Sequence, residues 1–142
     1  MQLGCVETMD REIRIIVAGY REFNDYAFVK SKIHKLLFSL IDEYEGLEKS
    51  DIRFISGTCR GVDKLGEKYA NEFGYKLSKF PANWNLYHNS AGYERNKQMA
   101  EFAAQDGSIG VLLAFTCDKS KGTKLMIDLA KKNGLEVNIV EI

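Results

Sequence analysis

The sequence lacks most of the features that stabilise a fold without a large core or attach it to a membrane. Its 142 residues include one proline, two histidines and three cysteines. The cysteines, Cys5, Cys59 and Cys117, are widely spaced and form no Cys-x-x-Cys pair. This pattern argues against a disulfide framework or a zinc site and favours a reducing compartment. No apolar run approaches the ~18 residues of a membrane helix, so we expect a cytoplasmic protein with no membrane partner, no metal and no other cofactor.

An excess of charge of one sign is also lacking. Twenty Lys and Arg residues balance twenty Asp and Glu residues, which leaves a net charge of zero. Binding to a nucleic-acid backbone requires several clustered basic side chains, so nucleic acid is not expected as a partner. Any anionic ligand would have to be held by local geometry and not by a basic surface.

What the sequence does contain is an alternation of short apolar runs with helical patterns, in a chain of single-domain length. The runs that predict strands are residues 13–18, 52–55, 75–80, 109–115 and 135–140. The helical patterns are residues 25–44, 61–73, 91–104 and 122–132, and residues 83–90 predict an irregular loop. This alternation predicts one Rossmann-like α/β domain over residues 13–142, following a tail of residues 1–12. We expect three layers, with a mostly parallel five-stranded sheet covered by helices on both faces.

Ligands of such sheets bind at the carboxyl ends of the strands, so the residues that follow each predicted strand are candidates for a site. Gly19, Tyr20 and Arg21 follow the first strand. Glycine permits a sharp turn and a close approach to a ligand, and the arginine fork suits phosphate. The alternative is a tight turn with a surface arginine.

The second strand leads into a helix through small and hydrogen-bonding residues: Ser56, Gly57, Thr58, Gly61 and Asp63. Free N–H groups at a helix N-terminus favour an anion. The segment is neither a P-loop nor a GxGxxG motif, and the alternative is a capped turn in which Asp63 complements the helix dipole. Cys59 is not expected to be a nucleophile, because no histidine lies nearby in the sequence to activate it.

Two further segments add aromatic, amide and charged groups. After the third strand, Trp84 could stack on a base beside the polar edge of Asn83, or Trp84 could cap the core. Arg95 and Asn96 open the next helix and can face the strand ends. Glu94 beside them is either a general acid/base or an ion-pair partner.

The helix after the fourth strand opens with Gly122 and Thr123, a second candidate anion cradle. Ordinary N-capping by Ser120 or Thr123 is the competing interpretation. His34, within the first helix, belongs to no metal or catalytic pattern and is expected to be structural.

Four segments together resemble one family: IVAGYREFND, ISGTCRGVDKLGEKYA, FPANWNLYHNSAGYERNKQMAE and SKGTKLMIDLAKKNG. They are similar to the YspA/YpsA-related branch of the SLOG superfamily. That superfamily comprises Rossmann-like domains related to the LOG phosphoribohydrolases and the DNA-processing Smf proteins. The resemblance covers roughly residues 13–140, and it implies a nucleotide-derived ligand that is sensed in some members and cleaved in others.

The same resemblance bears on catalysis. LOG enzymes carry an Arg-Lys-x-x-Met helix start, which Arg95 and Met99 match, and a Pro-Gly-Gly-x-Gly-Thr-x-x-Glu loop, which Gly122 and Thr123 match. The catalytic glutamate of that loop falls on Met126, and residues 117–120 replace its Pro-Gly-Gly segment. The resemblance therefore implies a conserved type of phosphate cradle without the usual catalytic carboxylate.

The leading hypothesis is binding or sensing of a nucleotide, NAD-like or ADP-ribose-like ligand, with binding slightly favoured over catalysis. The first alternative is an N-glycoside hydrolase in which Glu94 or Asp63 replaces the missing glutamate. The second is a DNA- or protein-interaction adaptor. The chain is also a candidate homodimer or larger homo-oligomer through the apolar face of residues 28–41, although that face could equally be core.

Overall fold

Five parallel strands form one sheet across the part of the chain that the structure describes. The structure is a computed structural model, and it describes residues 11–142. The strands are β1 (Ile13–Gly19), β2 (Ile52–Ser56), β3 (Lys76–Lys79), β4 (Ile109–Thr116) and β5 (Glu136–Glu141). Their order is β3-β2-β1-β4-β5, so the strand order reverses between β1 and β4.

The helices lie on both faces of this sheet. They are α1 (Tyr26–Glu43), α2 (Val62–Phe73), α3 (Trp84–Tyr87), α4 (Ala91–Ala104) and α5 (Lys121–Lys132). The Asp25 side chain caps α1 by accepting a hydrogen bond from the N–H of Phe28 at 3.1 Å. Gly74 ends α2 in the left-handed conformation, at φ +72°.

Two apolar cores separate the three layers. Ile15 and Val17 of β1 face α1 and α2, whereas Ile16 and Ala18 face α4 and α5. Strands buried on both faces are continuous apolar runs in sequence, and β1 and β4 show this pattern. The predicted three-layer α/β fold is confirmed.

The structure corrects several details of the sequence prediction. Residues 83–90 are not irregular, because Asn83 caps the short helix α3 and accepts from the N–H of Leu86 at 3.1 Å. Trp84 does not cap the core, since 59% of it is exposed. The third strand, β3, covers Lys76–Lys79 and not the predicted residues 75–80. Helix α5 begins at Lys121, one residue earlier than predicted.

The apolar face of α1 belongs mostly to the core. Val29, Ile33 and Leu40 of this helix are fully buried, whereas Phe38 and Ile41 are exposed. The side chain of His34, a residue of α1, contacts α2, because its Nδ1 is hydrogen bonded to the hydroxyl of Tyr69 at 2.7 Å. This position agrees with the structural role expected of it.

Residues 1–10 lie outside the described residues, and with them Cys5 and most of the predicted tail. Across residues 11–142, no helix combines the length and the apolar character needed to cross a membrane.

Candidate functional site

A cleft of about 410 Å³ lies at the carboxyl ends of β1 and β4, where the strand order reverses. This is the position at which open parallel sheets bind ligands. Eight of the residues predicted from the sequence line the cleft: Gly19, Tyr20, Arg21, Asp63, Arg95, Asn96, Gly122 and Thr123.

One wall of the cleft is built from main chain. The N–H of Tyr20 donates to the carbonyl of Phe115 at 3.0 Å, which ties the turn after β1 to β4. The carbonyl of Tyr20 accepts from the N–H of Val62 at 3.4 Å, which ties the same turn to the start of α2. Gly61 has φ +82°, and a Cβ atom there would lie 2.4 Å from the carbonyl oxygen of Arg21. Only glycine fits this position.

Asp63 places a buried carboxyl group at the floor of the cleft. Its side chain is 6% exposed, and its Oδ2 accepts from the N–H of Cys59 at 3.2 Å. Burial raises the pKa of Asp63 to about 6, although the N–H of Cys59 and the charge of Arg95 act in the opposite direction. A group with this pKa can exchange a proton near neutral pH.

Arg95 places a guanidinium group beside that carboxyl group, and it is 8% exposed. Its Nε donates to Asn96 Oδ1 at 2.8 Å, its Nη1 donates to the carbonyl of Gly57, and its Nη2 lies 3.5 Å from Cys59 Sγ. Among residues 11–142 no carboxylate oxygen lies within 4.0 Å of this guanidinium. Because a buried cation that forms no close ion pair is costly, an anionic ligand would stabilise it.

Gly57 allows these two charged groups to approach the loop after β2. A Cβ atom at this position would lie 2.8 Å from Asp63 Oδ2 and 3.1 Å from Arg95 Nη1. Gly57 therefore leaves room for the side chains of Asp63 and Arg95, although Gly57 itself does not line the cleft.

The N-terminus of α5 forms the opposite wall. The hydroxyls of Ser120 and Thr123 are both buried and hydrogen bonded to each other, and Ser120 makes no side-chain cap. Within residues 11–142, no side chain caps the first N–H groups of α5, so these groups are available to an anion. A Cβ atom at Gly122 would meet nothing within 4 Å, so this residue leaves the cleft open.

Met126 lines the cleft one turn further along α5 and is almost completely buried. The resemblance to the LOG motif sets this residue at the position of the catalytic glutamate. The residues of α5 that line the cleft therefore include no carboxylate.

The rim carries cations that the sequence reasoning left out of the site: Arg60, Lys119 and Lys121. Glu22, also missed, pairs with Arg60 across one end of the cleft. Among residues 11–142, the lining contains five cationic side chains and two carboxylates, in a chain of zero net charge. The signal in the sequence that could have identified these four residues is their position in the segments that follow predicted strands.

The remaining predicted residues lie elsewhere. The Ser56 hydroxyl is turned away from the cleft, because it donates to Glu67 Oε2 at 2.6 Å and accepts from the N–H of Thr58 at 3.0 Å. Thr58 itself has φ +67°, which is rare for a β-branched residue. Asn83, Trp84 and Glu94 do not line the cleft, and neither do Ser56, Thr58 and Gly61.

These features define a Rossmann-like α/β domain with a cationic cleft at its topological switch point. The model of the YspA, cpYpsA-related SLOG family, YAcAr, matches residues 13–87, more than half of the chain. The chain belongs to this family, and the resemblance inferred from its motifs is confirmed. The comparison with curated proteins and the comparison with solved structures gave no match. Arg95 and α5 lie beyond the matched segment, so their place beside the cleft rests on the structure.

Proposed function

We propose that the cleft between β1 and β4 binds a nucleotide-derived anion, with a phosphate group between Arg95 and the N-terminus of α5. The observation that carries this proposal is the buried guanidinium of Arg95, which forms no ion pair within 4.0 Å among residues 11–142 although it lies close to the carboxyl group of Asp63. A phosphate oxygen would supply the missing counter-charge and would accept the free N–H groups of α5.

The charge distribution and family membership support the same proposal. The cationic rim raises the local concentration of an anionic ligand, even though the chain as a whole is neutral. Arg21 and the turn at Gly19 lie within the same cleft and offer contacts to a second phosphate or a ribose. The SLOG family to which the chain belongs supports a nucleotide-related ligand.

A thermal-shift assay tests the proposal directly. The full chain is titrated with AMP, ADP, ATP, NAD, ADP-ribose and inorganic phosphate. A ligand at ~100 times its Kd adds about 2.7 kcal/mol to the free energy of unfolding, which corresponds to a rise in Tm of roughly 5–10 °C for a domain of this size. The absence of a shift with every nucleotide would refute the proposal.

Gly122→Leu is the most informative variant, because its side chain projects into open space and not into the protein. We expect this variant to fold normally and to lose the ligand-induced shift. Asn71→Leu adds the same side chain on the exposed surface of α2 and serves as the control, with the shift retained. Arg95→Lys keeps a cation but loses the planar fork, and should weaken binding of the same ligand.

A hydrolytic version of this function is supported by one observation, the buried Asp63 carboxyl in the same cleft with its pKa raised to about 6. A carboxyl group of this kind could activate water near neutral pH. Release of free base from AMP or NAD, abolished in Asp63→Asn while ligand binding persists, would establish hydrolysis. Intact nucleotide after long incubation with the wild type would restrict the function to binding.

A further inference from the structure

Two buried groups that can carry opposite charges lie close together in the cleft without forming an ion pair. Asp63 and Arg95 both line the cleft, at 6% and 8% exposure. A Cβ atom at Gly57 would lie 2.8 Å from Asp63 Oδ2 and 3.1 Å from Arg95 Nη1, so one methyl group would touch both side chains. Among residues 11–142, however, no ion pair within 4.0 Å joins them. Each group therefore responds to the charge of the other at short range, but direct contact does not neutralise either of them.

The groups that favour the charge of Asp63 come from a loop, a strand and a helix. The N–H of Cys59, in the loop before α2, donates to Oδ2 at 3.2 Å, and a main-chain hydrogen bond from Gly19, at the end of β1, acts in the same direction. Helix α4 contributes the charge of Arg95, whose Nη2 lies 3.5 Å from the Cys59 thiol. The two main-chain groups and Arg95 thus stabilise the ionised carboxylate.

An acid on the same helix opposes the charge of Asp63. Glu67 lies one turn along α2, and its charge disfavours ionisation of Asp63. That charge is partly compensated, because Lys64 Nζ and Lys79 Nζ lie 3.4 Å and 3.6 Å from Glu67 Oε1. The other titratable or charged residues that line the cleft are less buried: Tyr20, Arg21, Glu22, Arg60, Lys119 and Lys121.

The protonation of Asp63 is closely balanced in this environment. Loss of hydration on burial outweighs the main-chain hydrogen bonds and Arg95, and it raises the pKa of Asp63 to about 6. The carboxyl group is therefore largely ionised at pH 7, but a modest change in the charge around it is enough to add a proton.

We propose that the cleft takes up a proton on Asp63 when it binds its anionic ligand, so that the ligand binds more tightly in acid. This inference rests on the proposed function, because it requires an anion beside Arg95. The proton comes from solvent: the empty cleft holds the Asp63 carboxylate, and the occupied cleft holds the neutral carboxyl group. Its uptake removes a negative charge that would otherwise lie beside the ligand.

An anion at this position acts on Asp63 in two ways. Its own negative charge disfavours a second negative charge nearby. It also pairs with Arg95, which then attracts the carboxylate less. Both effects raise the pKa of Asp63 in the complex, and a group whose pKa rises on binding makes binding tighter when it is protonated. Affinity is therefore highest below about pH 6, where Asp63 is protonated in the free chain, and it falls as pH rises above this value.

Isothermal titration calorimetry of the full chain with ADP-ribose at pH 5, 6, 7 and 8 tests this inference. The pyrophosphate of ADP-ribose has no group that titrates in this range, so a change in Kd belongs to the protein. We expect the Kd of the wild type to be roughly tenfold higher at pH 8 than at pH 5, which corresponds to a tenfold increase in the proton affinity of Asp63 on binding. Titrations at pH 7 in two buffers of different ionisation enthalpy should show net proton uptake.

Asp63→Asn keeps the shape of the side chain but cannot ionise. Its Kd for ADP-ribose should stay constant with pH and should be lower than that of the wild type at pH 8, a gain that loss of a purely structural residue would not produce. Asp118→Asn removes an exposed carboxylate that does not line the cleft, and it should keep the wild-type pH dependence. AMP, and any other nucleotide that raises Tm, serve as further probes. A phosphate that titrates does so with both chains, so the difference between the wild type and Asp63→Asn still reports on Asp63.

The possible failures are distinguishable. A wild type whose Kd changes with pH no more than that of Asp63→Asn, or one that releases protons on binding, would overturn this inference and leave anion binding in place. The absence of a thermal shift with every nucleotide would instead refute the proposed function, and this inference with it.

Discussion

Asp63 and Arg95 are neighbours in the floor of the cleft, but burial disfavours the charged form of Asp63 whereas Arg95 stays charged. Arg95 remains a cation because a guanidinium is always charged in proteins. The carboxyl group of Asp63 loses hydration on burial, and its pKa rises to about 6. At neutral pH the ionised form of Asp63 is therefore less favourable in the folded chain than in the unfolded chain.

This difference predicts a specific pH dependence of stability. The pKa of Asp63 is higher in the folded state than its ordinary value of 3.8, so between these two values the folded chain binds a proton that the unfolded chain does not. The free energy of unfolding contributed by Asp63 falls as pH rises through this window, by roughly 2–3 kcal/mol. Denaturant unfolding of the wild type and Asp63→Asn at pH 4 and pH 7 measures it.

The variant should gain stability relative to the wild type as pH rises from 4 to 7. Asp118→Asn removes an exposed carboxylate from the loop after β4 and is the control. A constant difference between the wild type and Asp63→Asn across this range would contradict the prediction.

Individual cleft residues were predictable where a residue type coincided with a strand end, as for Gly19, or with a helix start, as for Arg95 and Gly122. The partners of these residues were not predictable. Nothing in the sequence indicates that Ser56 would donate to Glu67, or that Arg60 would pair with Glu22, because both contacts depend on side-chain directions set by packing.

At the scale of elements, α2 approaches β1 closely. A Cβ atom at Gly66 would lie 2.8 Å from Cβ and 2.9 Å from Cγ1 of Val17. Neither atom is the end of a long flexible chain, so the helix would have to move away from the sheet. The same helix supplies Asp63 to the cleft, so its distance from β1 also affects the geometry of the site.

Gly66→Ala is therefore expected to destabilise the domain by about 1–2 kcal/mol, because overpacking outweighs the better helix propensity of alanine. Gly92→Ala, in the first turn of α4, is the matched control, since its Cβ would have only Arg95 Nη2 within 4 Å, at 3.9 Å. The control should be stabilised by roughly 0.5–1 kcal/mol. Urea unfolding of both variants tests the pair, and a stabilised Gly66→Ala would show that α2 can adjust without cost.

Strands with a continuous apolar run and helices with an apolar stripe were predictable from the sequence, whereas the single-turn helix α3 was not. Strands β1 and β4 are continuous apolar runs, and α2 has an apolar stripe ended by Gly74. Helix α3 is a single turn, which is too short to show a 3.6-residue period. Asn83 was its one signal, because asparagine is a favoured N-cap.

At the scale of the whole molecule, Glu12 links separate strands at the amino end of the sheet. It lies within hydrogen-bond distance of Arg14, Arg53 and Lys76, at 3.0, 3.1 and 3.2 Å. Burial alone would raise the pKa of Glu12, but the hydrogen bonds from these three side chains outweigh burial and lower it to about 2. Arg14 also donates to the carbonyl of Phe102, which extends the network to α4.

The network predicts that acid lowers the free energy of unfolding, whereas the effect of Asp63 is that acid raises it. Because the folded pKa of Glu12 lies below its ordinary value of 4.5, its stabilisation is fully present above about pH 4.5 and is lost as pH falls towards 2. Glu12→Gln should be about 2–3 kcal/mol less stable than the wild type at pH 6, with the difference vanishing near pH 2. Thermal unfolding across this range provides the measurement.

Glu141→Gln removes an exposed carboxylate at the other end of the sheet and is the control, with little change expected at either pH. A Glu12→Gln variant as stable as the wild type at pH 6 would show that the network contributes no net stability. No sequence pattern could have revealed this network, because residues 12, 53 and 76 meet only through the register of parallel strands.

The main-chain wall of the cleft and its side-chain rim respond differently to substitution. The Tyr20 and Val62 hydrogen bonds and the tight contact at Gly61 fix the shape of this wall through main-chain atoms, which side-chain substitutions leave in place. The chemistry of the rim, in contrast, comes from exposed side chains on loops and a helix start: Arg21, Arg60, Lys119 and Lys121. If the cleft binds the anion proposed above, substitutions at these exposed positions would change which ligands it accepts, while the main-chain frame of the cleft would stay the same.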